Sequence, residues 1–135
     1  MSYLKQKSSF NIDSAKELIK ISYYAPSVHC SYYGCFQFMK YTLKNYNKTT
    51  YELIESDCMA YAGGTHGYMI NNILSILRTN LNDTQQYTQI KRLIKDLKSF
   101  RIISDYFNVQ ILDEEANKSL RFSEQIIRTI QQNIK

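Results

Sequence analysis

Residues 27–41, "SVHCSYYGCFQFMKY", gather one histidine, two cysteines and three tyrosines into fifteen positions. They decide whether the chain is a metal or redox protein or a packed bundle of helices. On a helix, residues five apart lie about 140° apart around the axis, so Cys30 and Cys35 face different directions and cannot share a metal. His29 and Tyr33, four apart, share a face, but a zinc site needs further ligands at helical spacing and none is there. No metal and no cofactor is expected. What remains is packing. Val28, Tyr32, Cys35 and Met39 form one stripe and His29, Tyr33, Phe36 and Leu43 another, so this helix is apolar on most sides and belongs in the middle of a bundle. Ser27, Ser31 and Cys35, with Gly34 beside them, form a small-residue ridge that lets a neighbour approach closely. Ser27, Ser31, Tyr32, Tyr33, Gly34 and Cys35 are therefore the expected helix-packing residues, and candidates for a dimer contact. Buried tyrosines need partners for their hydroxyls, so Tyr32 or Tyr33 is expected to hydrogen-bond across helices.

Outward from this stretch the helical period continues. One proline and four glycines in 135 residues leave few turn signals, and the class is all-α. The spacing predicts a first helix from Asp13 or Ser14 to just before Pro26, and a second opened by Pro26 and lasting to about Leu43 or Lys44. Residues 45–64 read as a long connector, with Tyr51, Leu53 and Ile54 compatible with a short helix. A third helix is capped by Thr65 and runs to about Leu81. A fourth, capped by Asp83 or Thr84, runs to about Asp105, and a fifth is capped by Asp113, with acidic Asp113, Glu114 and Glu115 at the favourable end of its dipole. Five long helices on mostly short connections predict an up-and-down bundle, a single domain over residues 1–135 with its core in 13–131.

Hydrophobic residues make up 44% and charged residues 21%, a globular balance with no apolar run long enough to span a bilayer. The opening MSYLKQKSSFNID lacks the apolar stretch of a secretory signal, and three cysteines suit free thiols, so a reducing cytoplasm is expected. Seventeen Lys and Arg against twelve Asp and Glu give a formal charge of +5, which favours polyanions such as RNA. The clearest basic face is Lys91, Arg92, Lys95 and Lys98.

Four pieces of sequence stand in order along the chain: Ser27 to Phe36 with its Tyr32-Tyr33 pair, the turn Thr65-His66-Gly67, the run Leu97-x-x-x-Arg101-x-x-x-Asp105-Tyr106, and Glu115-Ala116 through Ile127. Together they resemble the HEPN domain, a small helical bundle of bacteria and archaea linked to RNA cleavage and to nucleotidyltransferase partners. Members that cut RNA carry an arginine followed four to six residues later by a histidine, and two copies meet across a dimer. Such a pair suits cleavage by the ribose hydroxyl, which needs a proton carrier near neutral pH and a cation beside the phosphate. Here the corresponding positions after Arg101 are Asp105, Tyr106 and Phe107, so the histidine of the motif is missing. Candidate catalytic residues are Arg101, Asp105, Tyr106 and His66, with His29 assigned to packing. Arg101 also continues the stripe Ile90, Leu93, Ile94 and Leu97, where pairing with Asp105 would make it structural.

The resemblance without the histidine implies a non-catalytic, homodimeric binding module that accompanies a nucleotidyltransferase or another RNA-processing protein. The competing expectation is a divergent metal-independent endoribonuclease toxin of a toxin–antitoxin pair.

Overall fold

A computed structural model describes residues 2–135, in which helices joined by short connectors make up nearly the whole length. The described residues form α1 (Tyr3–Lys20), α2 (Tyr24–Tyr46), α3 (Tyr51–Ala60), α4 (Gly64–Asn80), α5 (Thr84–Tyr106) and α6 (Asp113–Asn133). None of these helices is long and apolar enough to cross a membrane. The expected all-α bundle is therefore present, with one more helix than the periodicity predicts. Residues 45–64 hold α3, whose cap is Thr50, its hydroxyl accepting from the Leu53 amide at 3.2 Å.

α2 is the centre of the bundle and packs against α1, α4, α5 and α6. Its stripe Val28, Tyr32, Cys35 and Met39 is buried, as is Leu43 of the second stripe. His29 departs from that expectation, with an exposed side chain, while Tyr33 and Phe36 are half-buried. The small-residue ridge does what its composition predicts, but within one chain. Ser8 of α1 donates its hydroxyl to the Gly34 carbonyl, Ser27 donates to Ala15 O at 2.8 Å, and Ser123 of α6 donates to Ser31 O at 2.6 Å. A methyl group at Gly34 would lie 2.8 Å from the Ile12 side chain and 3.2 Å from Ser8 O. Ser27, Ser31, Tyr32, Gly34 and Cys35 are all buried against their own chain, so the dimer role considered for this ridge is corrected: α1 and α6 already occupy it.

α1 begins at Tyr3, well before the expected Asp13 or Ser14, with the Ser2 hydroxyl accepting from the Lys5 amide at 3.3 Å. The early turns were hidden because the inward residue there is Ser8, a polar residue at an apolar position, demanded by the close approach of Gly34. Asp83 caps α5 as expected, accepting from the Gln85 amide at 2.9 Å. The cap of α4 is corrected by two residues, from Thr65 to Gly63, and that of α6 by one, from Asp113 to Leu112. Gly64, at φ +76°, opens α4 ahead of Thr65. Asp113 is the first residue inside α6, and Glu115 accepts from the Leu112 amide at 3.1 Å.

Two helix ends escaped the glycine count because they use other residues. At the end of α1, Tyr23 N–H reaches Leu18 O and Ser22 N–H reaches Ile19 O, with Ser22 at φ +63°. At the end of α2, Thr49 N–H reaches Lys44 O and Lys48 N–H reaches Asn45 O, with Lys48 at φ +51°. Both are Schellman closures whose left-handed position is usually glycine. An L side chain pays a steric penalty there that exceeds glycine's entropic one. Ser22→Gly and Lys48→Gly should therefore each stabilise the fold by about 0.5–1 kcal/mol, read as a rise in the midpoint of urea unfolding.

Candidate functional site

Arg101 extends the buried stripe of α5 formed by Ile90, Leu93, Ile94 and Leu97, and is itself only 5% exposed. A buried guanidinium must be compensated by its surroundings. Its carbon lies 4.8 Å from the ring centre of Tyr32, 5.7 Å from that of Tyr33 and 5.8 Å from that of Tyr106, an enclosure of aromatic faces that attract a cation. Nη1 is 3.8 Å from Asp105 Oδ2, and Nε has no hydrogen-bond partner among the described residues.

Asp105 stands at the end of α5, its backbone open to solvent and its side chain 19% exposed. The same carboxylate that faces Arg101 takes the Nδ1 of His29, 2.9 Å from Oδ2 and 3.1 Å from Oδ1, across 76 residues of sequence. Ser104 fixes the neighbouring turn by donating to Ala25 O at 3.0 Å. The ends of α5 and the start of α2 are thus clamped by side chains on both sides of the contact.

His66 lies in the first turn of α4 and completes the cluster. Its Nδ1 is 2.6 Å from the Tyr32 hydroxyl, and its ring packs on Phe36, with centres 4.6 Å apart, and on Tyr32 at 5.5 Å. Burial pushes the Tyr32 phenol upward, against the opposing pull of Arg101, so it keeps its proton at neutral pH. Burial, then the charges of Arg101 and Lys98, hold His66 below the ordinary histidine value. A protonated phenol beside a neutral imidazole assigns the bond as Tyr32 O–H donating to Nδ1, which leaves the His66 proton on Nε2. In that tautomer the outward nitrogen donates and does not accept. His66 is suited to hold an oxygen, less so to act as a base.

His29 is the opposite case. With Nδ1 held by a carboxylate and the side chain 49% exposed, its Nε2 is the nitrogen left to accept a proton, the arrangement by which a carboxylate orients a working imidazole. Sequence reasoning assigned His29 to packing because the stripe around it is apolar. The signal that marks it is its position one turn after Pro26, close to the helix start, where the face is not covered along its whole length.

Of the expected catalytic residues, Arg101, Asp105, Tyr106 and His66 do come together, joined by His29, Tyr32 and Tyr33. Of the basic face, Lys98 is half-buried and near enough to act on His66, whereas Lys91, Arg92 and Lys95 are exposed along the outer side of α5 and stand apart from the cluster. The thiols take no part: burial pushes Cys35 up to about 12 and raises Cys30 as well, so neither is a thiolate at neutral pH. Comparison of the chain with protein-family models, with curated proteins and with solved structures returns no match.

Two outcomes follow for stability. His66 has a folded pKa below its unfolded one, so the unfolded chain binds the proton more readily as acid is added. Its contribution is constant above the unfolded value of about 6.5 and is lost as pH falls below it. Urea unfolding between neutral and mildly acidic pH should show this loss in the wild type and a flatter profile in His66→Gln. Asp105→Asn removes the carboxylate facing a buried guanidinium and should cost about 1–3 kcal/mol at pH 7, with the His29 imidazole resonances shifting in NMR spectra as its partner changes.

Proposed function

We propose that the protein is a HEPN-like binding module that works as a homodimer beside a nucleotidyltransferase or another RNA-processing partner. The observation that carries this reading is convergence: the Tyr-Tyr pair, the histidine turn and the Arg…Asp-Tyr ending, which lie far apart in sequence, meet around one guanidinium. A module, in preference to a catalyst, is favoured by the state of Arg101. Its guanidinium is walled in by three tyrosine rings and faces Asp105, so it organises the end of the bundle and is poorly placed to meet a phosphate. Around this end, Ile21, Tyr23, Ile103, Tyr106, Phe107 and Val109 are exposed. Large apolar side chains gathered in the open mark a contact surface, and this one is the natural seat of the dimer or partner contact.

One observation favours a second reading, a metal-independent ribonuclease. His29, oriented by Asp105, could stand in space where the family's motif places its histidine in sequence, and take the proton of a ribose hydroxyl.

A single set of measurements separates the two. The full chain is sized by light scattering, and incubated with folded and single-stranded RNAs in EDTA, alongside Phe107→Ser, His29→Gln and His66→Gln. The module reading expects a folded dimer that leaves RNA intact, and a shift toward monomer in Phe107→Ser. Cleavage by the wild type that is lost in His29→Gln and kept in His66→Gln would establish the ribonuclease. A monomer at micromolar concentration that also recovers no partner from a lysate would overturn the module.

A further inference from the structure

The opposite end of α2 carries a second surface that the Arg101 cluster does not use. From Tyr33 to Lys44 is about 16 Å along the helix axis. There, two grooves adjoin and share Tyr41 and Asn45. One runs between the start of α1, the end of α2 and the side of α3; the other passes from the end of α2 to the end of α6. Lys5, Lys7, Lys40, Lys44 and Lys135 line them, and Glu55, paired with Lys40 at 3.1 Å, is the one Asp or Glu side chain lining either among the described residues.

Tyrosines alternate with these lysines. Lys5 Nζ stands 5.5 Å from the ring centre of Tyr41, and Lys44 and Lys40 stand 5.6 and 6.0 Å from that of Tyr51. Tyr3 and Tyr46 are 69% and 39% exposed at the two flanks. Solubility explains lysines on a surface, but not half-buried tyrosine rings between them with further exposed rings on both flanks. Cations beside π faces form the pattern on which single-stranded nucleic acids bind: each base stacks on a ring while the neighbouring ammonium meets its phosphate. A duplex, with its bases already stacked, cannot use the rings.

We infer that this lysine–tyrosine strip across the ends of α1, α2 and α6 binds single-stranded nucleic acid through stacking and phosphate contact, without base-specific readout. The strip stands separately from the HEPN-like reading and from the Arg101 cluster.

The test is fluorescence anisotropy of the full chain with a labelled oligouridylate of about ten nucleotides, a length within the range such sites cover, over a salt series. Wild type should bind, and bind oligodeoxythymidylate similarly. Lys7→Ala with Lys44→Ala should weaken binding and make the log–log salt dependence shallower by about 1.4, two phosphate contacts at roughly 0.7 each. Tyr3→Ala with Tyr46→Ala, both exposed rings, should lose about thirtyfold or more in affinity with the slope unchanged, two stacking contacts at about 1 kcal/mol or more each. Lys91→Ala with Lys95→Ala should bind as wild type. The inference is overturned if the wild type binds neither oligonucleotide, if polyglutamate competes as well as the oligouridylate, if a duplex binds as tightly, or if the α5 lysine variant carries the loss.

Discussion

Ser8, Ser27 and Ser123 each place a hydroxyl on a backbone carbonyl of a neighbouring helix, and this is the contact on which the remaining arrangement depends. With Gly34, they allow α1 and α6 to lie against α2 with little more than a hydroxyl between backbones. Buried hydroxyls need such partners, and here the partner is the helix they hold. Because α1 and α6 cover one side of α2 so closely, its larger residues, Tyr32, Tyr33 and Phe36, are turned toward α4 and α5. The aromatic enclosure of Arg101 is therefore a consequence of small residues on the other side of the same helix.

That enclosure has an electrostatic logic. A guanidinium at 5% exposure would be costly alone; three aromatic faces and one carboxylate offset the cost without a tight ion pair, since Nη1 and Oδ2 are 3.8 Å apart. The carboxylate's closer partner is His29. Arg101 thus sets the shape of the end of the bundle, while His29 and His66 stand at its rim in two different tautomeric settings. On the HEPN-like reading this is a scaffold retained where a catalytic arginine would stand.

Much of the fold was legible in the sequence, and the parts that were not share a physical cause. The stripes of α2 and α5 are read directly from residues such as Val28, Tyr32, Leu93 and Leu97, whose burial follows their spacing. The start of α1 was lost because Ser8 fills an inward position, and the ends of α1 and α2 because Ser22 and Lys48 take the left-handed backbone that glycine usually signals. α3 was absorbed into a connector since only Ile54 and Cys58 of its ten residues are buried. At the site, Arg101, Asp105, Tyr106 and His66 were found from chemistry and order. His29 was missed, since neither its exposure nor its pairing with Asp105 across the bundle can be seen along one helix.

α3 also differs from the other helices in how it is held. Among the described residues its one substantial helical neighbour is α4, supported by Tyr68 donating to Asp57 at 3.2 Å. Segments with few buried contacts open at a free energy well below that of the whole fold. Tyr51, the ring faced by Lys40 and Lys44, sits on this loosely attached element. One wall of the lysine–tyrosine strip is thus carried by the helix with the fewest buried contacts, pinned to α2 by the Lys40–Glu55 pair, beside three helices joined by serine hydroxyls.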